Sequence, residues 1–332
     1  MTQIDVLIPT LRRPESLTRA LRSLFAQDRA TELVAAVVVV DNSPEGSARE
    51  TVEALRPACP APLIFVHEPH PGVATARNAG LAASDAPLVA FLDDDEEAPA
   101  GWLEALHAAH LEMGTEVTFG PVRGLAPDAR PGERAYMERF FSRIGPETSG
   151  PIIAPYGCGN SMMTRAFALV GPNPFDAAAD ATGGEDDRLF AQLSAQGARY
   201  GWAAEAWVFE YAPAHRAQLG YTLKRAFGYG QSPTQIAATA RDPAGVAKWV
   251  AVGLAQVLAN APVAALLLAL HHRQGADFAD RAAQGLGKVF WRVRLGFYGQ
   301  AEIRRSTRAA RKRPQDGLEV VHASRRAARS SA

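Results

Sequence analysis

Cysteine is scarce in this chain of 332 residues, which has two, Cys59 and Cys158. They stand far apart and in no Cys-x-x-Cys arrangement, so neither a zinc site nor a disulfide framework is suggested, and a reducing cytosol fits. The amino terminus lacks the basic region and long apolar core of a signal peptide, because Asp5 interrupts its first apolar run and Pro9 follows. On this reading the amino-terminal part stays in the cytoplasm. Internal repeats are missing, and so is any net charge, since 35 Lys and Arg balance 35 Asp and Glu. That balance hides an asymmetry: from Lys288 onward Lys and Arg greatly outnumber Glu302, Asp316 and Glu319. Nucleic acid and anionic phospholipid headgroups would both suit such a tail. The lack of zinc spacing and of an aromatic RNP pattern weighs against the first.

What the chain has is ordinary globular material, 47% hydrophobic and 21% charged. Short apolar runs alternate with helical spacing over the first 110 or so residues. Ile4 to Ile8, Leu33 to Val40, Leu63 to Val66 and Leu88 to Leu92 read as strands. Helices are expected after Pro14, over Ser47 to Leu55, over Ala74 to Ala82 and from Pro99. Such alternation implies a mainly parallel sheet with right-handed crossovers. Further on, Glu116 to Val122 and Ala206 to Tyr211 read as strands and Glu133 to Ile144 as a helix. Gly145 to Pro155 reads as a loop.

Acids sit where these strands end. Asp41 closes the valine run, and Asp93, Asp94, Asp95, Glu96 and Glu97 follow Leu88 to Leu92 directly. An acidic run is commonly a solvated surface. At the carboxyl end of a strand in an open α/β sheet, where ligands bind, it also suits a divalent cation that takes carboxylate and phosphate oxygens. Glu185 and Asp186 open another helix, where simple capping would explain them.

The carboxyl-terminal third is helical after Gln231, and Trp249 to Leu270 contains no charged residue. The length suits a bilayer crossing of about 20 residues. Gln256, Asn260 and Pro262 interrupt the run, which leaves a kinked, re-entrant or in-plane segment and a buried core helix as alternatives. Phe290, Trp291, Phe297 and Tyr298, interleaved with Lys288, Arg292 and Arg294, form an aromatic-basic belt suited to headgroups. The expected organisation is a domain over 1–230, a helical membrane-associated region over 231–306 and a basic disordered tail over 307–332.

Taken together, Val6-Leu-Ile-Pro-Thr10, Val38-Val-Val-Asp41-Asn-Ser43, Ala76-Arg-Asn-Ala-Gly-Leu81, Phe91-Leu-Asp93-Asp-Asp95, Gly159-Asn-Ser161 and Gly184-Glu-Asp186 resemble the family 2 glycosyltransferases. The resemblance covers roughly the first 230 residues. It implies a GT-A fold, a Rossmann-like α/β domain for nucleotide sugars, and an inverting transferase that uses Mg²⁺ or Mn²⁺. On the donor side it implies Pro9, Thr10, Asp41, Arg77, Asn78, Asp93 and Asp94. Asp95 and Asp93 match the metal motif, with His215 as a further candidate ligand, although Glu210 and Arg216 carry the likeness in that loop. Asp186 matches the catalytic base, with Glu185 beside it and Asn160 on the acceptor side. The partners implied are a nucleoside diphosphate sugar and a lipid-linked or polysaccharide acceptor, at the cytoplasmic face of the cell membrane.

Two other functions remain compatible with such a sheet. A sugar-1-phosphate nucleotidyltransferase would need a glycine-rich loop after the first strand, and Pro9 to Pro14 supplies none. A non-catalytic nucleotide-sugar-binding membrane scaffold would have no use for both the metal acids and Asp186.

Overall fold

The first apolar run forms β1 (Ile4–Thr10), and Pro14, whose fixed φ suits a first helical turn, opens α1 (Pro14–Phe25). Next come α2 (Ala30–Leu33), β2 (Val34–Asp41), α3 (Arg49–Leu55), β3 (Leu63–His67), α4 (Val73–Ala82) and β4 (Leu88–Phe91). The order continues with β5 (Glu96–Glu97), α5 (Trp102–Met113), β6 (Val117–Phe119), β7 (Val122–Leu125), α6 (Arg134–Phe141), β8 (Gly150–Ile152), β9 (Ser161–Thr164) and α7 (Arg165–Ala168). It closes with α8 (Glu185–Ala195), β10 (Tyr200–Trp202), β11 (Val208–Tyr211), α9 (Leu219–Thr239), α10 (Pro243–Ala269) and α11 (Gly275–Val289). This computed structural model describes residues 3–293, apart from 182, together with 295 and 296. The expected tail from 307, and Arg294, Phe297 and Tyr298 of the expected belt, lie outside the described residues.

Eight strands make one sheet in the order β3-β2-β1-β4-β9-β6-β10-β8, and β5, β11 and β7 make a second. β3, β2, β1 and β4 are parallel neighbours, as the βα alternation requires. β9 then runs antiparallel between β4 and β6. Alternation along the strands feeds two cores, because successive side chains point to opposite faces. Ile4, Val6, Ile8, Val37 and Val39 pack with α1 and α5, while Leu7, Val38 and Val40 pack with α4 and α8. Covered on both faces, these strands need the uninterrupted apolar runs seen in the sequence. The result is the mainly parallel, Rossmann-like sheet of a GT-A domain.

Several elements differ from the sequence reading. Glu116 to Val122 is not one strand. Pro121 has no N–H to give a ladder, and the chain breaks at Gly120-Pro121 so that β6 joins the large sheet and β7 the small one. The helix expected from Pro99 begins at Trp102, because Gly101 takes a left-handed φ of 81° and the Trp102 N–H closes a turn onto the Pro99 carbonyl at 3.1 Å. The expected loop after Gly145 contains β8, paired with β10, a three-residue strand too short to leave a pattern. The boundary expected after residue 230 falls inside α9, which is continuous from Leu219 to Thr239.

α10 also runs unbroken through Pro262. It is the one helix among the described residues long and apolar enough to cross a membrane, with a mean hydropathy of 1.9 and only 11% of that window buried. Asp242 caps it, its Oδ1 accepting from the Gly245 N–H at 2.9 Å, with Pro243 following at the first helical position. Glycines let α10 and α11 touch. A Cβ at Gly253 would stand 2.6 Å from the Gly285 carbonyl oxygen, and one at Gly285 2.8 Å from that of Gly253.

Candidate active site

The ends of β1, β2 and β4 bring the first group of acids together. Thr10, closing β1, donates its hydroxyl to Asp94 Oδ2 at 2.7 Å. Arg13, at the edge of α1, reaches the same cluster, its Nη1 donating to Asp94 Oδ1 at 2.8 Å and to Asp95 Oδ2 at 2.7 Å. Pro9 stands in β1 beside Val40 of β2. Asp41 is fully buried: Oδ1 accepts from the Ser43 N–H at 3.0 Å and from its hydroxyl at 2.7 Å, and Oδ2 from the Ala48 N–H at 2.6 Å. That carboxylate thereby shapes the loop leading to α3.

A second group comes from α4 and α8. The Gly183-Gly184 pair, both at positive φ, turns the chain into α8 so that Glu185 and Asp186 occupy its first turn. Arg77 Nη1 donates to Glu185 Oε1 at 2.5 Å, both side chains being buried, and Nη2 lies 3.5 Å from Asp93 Oδ1. The Arg77 guanidinium also lies over the Phe175 ring at 5.5 Å. Its Nε is buried with no hydrogen-bond partner among the described residues. Asn78 holds the Phe175 backbone from both sides, donating to its carbonyl at 2.8 Å and accepting from its N–H at 3.1 Å. Asp180 completes the seam, accepting from the Ala74 N–H at 2.8 Å and the Thr75 hydroxyl at 2.5 Å.

The turn 157–159 lies between the two groups. Asp186 Oδ2 accepts from the Cys158 N–H at 3.2 Å, and Asp186 Oδ1 from the Asp187 N–H at 2.9 Å. On the other flank, a Cβ at Gly159 would fall 2.4 Å from Asp93 Oδ2, so only glycine lets Asp93 approach this closely. Asp93 and Asp186 therefore both border the short 157–159 segment. Asn160, with φ 53°, is fully buried: Oδ1 accepts from Trp102 Nε1 at 2.7 Å, and Nδ2 donates to the carbonyls of Pro121 at 2.9 Å and Ala206 at 2.8 Å. What it does for the site it does by tying β9 to the two crossing loops. His215 is half-buried in the turn between β11 and α9.

Carboxyl groups outnumber cations here, and their proton affinities register it. Burial, opposed by Arg13 and reinforced by Asp95, pushes Asp94 up to about 6. Burial and the Asp95 charge push Glu210 up to about 8. Glu96 rises well above the usual carboxylate range by burial and the nearby Asp93. Arg143 offsets part of this, its Nη2 donating to Glu96 Oε1 at 3.0 Å and its Nη1 lying 3.8 Å from Glu210. The same burial lifts the Cys158 thiol, so that it stays protonated at neutral pH.

Such a concentration of acidic oxygens suits a hard divalent cation. Among the described residues no group of three or more His, Cys, Asp or Glu side chains converges on one point. The protein would therefore supply one or two carboxylates, Asp95 and Asp93, and the remaining ligands would come from phosphate and water, the usual pattern for Mg²⁺. A separate hollow of about 320 Å³, lined by Arg123, Glu205, Trp207 and Phe209 among others, contains none of the residues named from the sequence.

Arg13, Arg143 and Asp180 were not legible as site residues, and Glu96 was visible only as a member of the acidic run. Arg13 had a signal, as a cation shortly after the first strand's Pro-Thr end. Arg143 and Asp180 act across distances in sequence that no local pattern encodes.

Comparison with known proteins agrees with this geometry. The family model described as Glycosyl transferase family 2 matches residues 5–169. The succinoglycan biosynthesis protein ExoM of Rhizobium meliloti is 36% identical over 230 residues, covering 69% of this chain and 73% of that protein. A pre-mycofactocin glycosyltransferase of Mycobacterium tuberculosis is 29% identical over 239 residues, covering 70% of this chain and 47% of that protein. In fold, the crystal structure of S. aureus TarS 1–349 matches with a TM-score of 0.50 at 17% identity, covering 86% of this chain and 90% of that one. A structure of the same fragment in complex with UDP-GlcNAc matches equally, with a TM-score of 0.50. An α/β sheet with acids gathered at its strand ends, and a relative this similar along most of both chains, lead to one assignment: the chain belongs to the glycosyl transferase family 2 and is a nucleotide-sugar glycosyltransferase.

Proposed function

We propose that the protein transfers a sugar with inversion from a nucleoside diphosphate donor to a hydroxyl of a lipid-linked or polysaccharide acceptor, at the cytoplasmic face of the membrane. In this reading residues 1–230 catalyse, and the helical region after them keeps the chain at the membrane. The observation that carries it is that Asp93 and Asp186, some ninety residues apart, both meet the 157–159 segment.

Asp95 and Asp93 would hold Mg²⁺ or Mn²⁺, with His215 a further candidate ligand, and a bound cation neutralises the charge that develops on a departing diphosphate. Thr10 and Arg13 hold Asp94 and Asp95 in a fixed arrangement. Pro9, Thr10 and Asp41 form the wall for base and ribose, Asp41 through the loop it shapes. Arg77, close to Asp93, meets the donor, while Asn78 keeps α4 in register for it. Asp186, in the first turn of α8, accepts the proton of the acceptor hydroxyl as that oxygen attacks the anomeric carbon. Glu185 orients Arg77. Asn160 supports the acceptor side from beneath, through its strand and loop contacts.

Inversion follows from one displacement assisted by one base. The relative ExoM, a succinoglycan biosynthesis protein, and the TarS fragment with UDP-GlcNAc favour a glycan product and a nucleotide-sugar donor. Asp186→Asn is expected to lower transfer by about 10²- to 10⁴-fold with the fold intact, and Asp95→Asn to abolish the divalent-cation dependence. Nucleoside diphosphate release and acceptor glycosylation at wild-type rates in both folded variants would sink the mechanism.

A further inference from the structure

Helix α10 is built inside out for a protein in water. From Ala251 to Leu270 every exposed residue is apolar. Leu254, Leu258, Leu266 and Leu270 are 50%, 76%, 61% and 66% exposed, at spacings of four and eight residues along the helix. The polar residues of this stretch turn the other way: Gln256 and Asn260 are half-buried, and Gln256 Oε1 is buried with no partner among the described residues. Such an arrangement leaves leucine facing out and an amide facing in. It lowers the free energy only if the outer face meets an apolar medium.

α11 decides what kind of medium. It runs antiparallel to α10: Gly275 packs against Leu268, and Gly285 against Gly253 and Gln256. Asp277, Asp280 and Arg281 therefore lie abreast of the middle of the apolar stretch. They are fastened to the catalytic domain, since Tyr136 of α6 donates its hydroxyl to Asp280 at 2.9 Å and Arg139 donates to Asp277 at 2.6 Å. If α10 crossed a bilayer, these charges and α6 would be drawn into hydrocarbon, where each is costly.

Cations stand at both ends of the stripe. Exposed Lys248, over the Trp249 ring at 5.5 Å, lies at one end, and exposed Arg273 at the other. Lys288 packs on Gly253, so α11 finishes at the Lys248 end. From there the sequence from 294 to 332 carries ten Lys and Arg against three acids. An apolar face framed by positive charge matches an anionic lipid surface rather than a second protein copy.

We infer that α10 lies in the plane of an anionic bilayer, seated by its outer leucine stripe without spanning it, and that α9 and α11 hold the catalytic domain above it. This rests on the helical unit and not on the catalytic roles proposed above.

The full-length protein is mixed with phosphatidylcholine vesicles, with and without phosphatidylglycerol, and bound protein is recovered by flotation. Binding is expected only with the anionic lipid. Leu258→Glu with Leu266→Glu should weaken it by at least about tenfold, since each leucine removed from the apolar phase costs a large share of its transfer energy. Alkaline carbonate should release the wild type. Release of nucleoside diphosphate from a soluble donor should be unchanged in this variant, so a catalytic failure and a docking failure read separately. Leu258→Gln alone serves if the double variant does not fold. Equal vesicle binding by variant and wild type would overturn the inference, as would retention after carbonate, which indicates a span. A soluble dimer that the same substitutions dissociate, with no vesicle binding, would assign the stripe to a second copy and also overturn it.

Discussion

Removing the two partners of the Arg77–Glu185 bridge one at a time should give unequal results. Both side chains are nearly out of water, 5% and 7% exposed. Arg77→Met leaves Glu185 as a buried carboxylate whose proton affinity burial already raises and whose main counterweight, the Arg77 charge, is gone. A buried charge stripped of its partner costs about 3–5 kcal/mol. Glu185→Gln is milder. The amide oxygen still accepts from Nη1, and Arg77 keeps Asp93 at 3.5 Å, so the cost should be about 1–3 kcal/mol, that of a weakened charge-assisted bond.

Arg77→Met combined with Glu185→Gln removes both charges and should cost well under the sum of the single changes. A pH signature separates this from simple loss of packing. In Arg77→Met the folded Glu185 titrates above its unfolded value of 4.5, so its penalty is absent below that pH and grows as pH rises toward the folded value. Urea unfolding followed by circular dichroism at about pH 5 and about pH 8 should show the Arg77→Met deficit shrinking at the lower pH. Equal costs for the two single variants, or a strictly additive double variant, would refute the reasoning.

Two further outcomes are expected. His110 is buried between the hydroxyls of Thr118 and Thr164, and burial followed by the charge of His107 lowers it from 6.5 to about 4. Its stabilising contribution is complete above the unfolded value and is lost as pH falls through the folded one, so acidification from about 6.5 to about 4 should cost on the order of 3 kcal/mol through this residue. The stability–pH slope of His110→Gln should be correspondingly flatter. Asn160→Ala leaves the Trp102 N–H and two carbonyls without their partner at a left-handed position, and should destabilise by about 3 kcal/mol or more. Activity per folded molecule should fall far less than the yield of folded protein, as read from unfolding curves and donor turnover together.

The parallel half of the sheet was legible because strands buried on both faces must be apolar without interruption, as from Val37 to Val40. Asp41 and Asp93 to Asp95 stood out for a related reason, since carboxylates at the end of such runs need a special cause, whereas Glu185-Asp186 stood out only through the family resemblance. The antiparallel part was not. β8 and β10 are three residues each, and their pairing depends on neighbours fifty residues away. Asn160 illustrates the remaining gap, since Gly-Asn-Ser marks a loop equally well whether its amide faces a ligand or the core. The carboxylate partners Arg13 and Arg143 were hidden because an arginine's reach is fixed only after the sheet has formed.

The bonds from Tyr136 and Arg139 to α11 have a consequence for reach. A tethered enzyme usually samples acceptors at many heights, because its anchor swings on a linker. Here the anchor is bolted to the working part by side chains at 2.9 Å and 2.6 Å, and the chain passes from β11 to α9 through a short turn. Whatever surface α10 rests on, the turn at Cys158 stands at a constant altitude over it. The molecule would then gauge its acceptor, reaching a hydroxyl held at that level and missing one nearer to or farther from the surface.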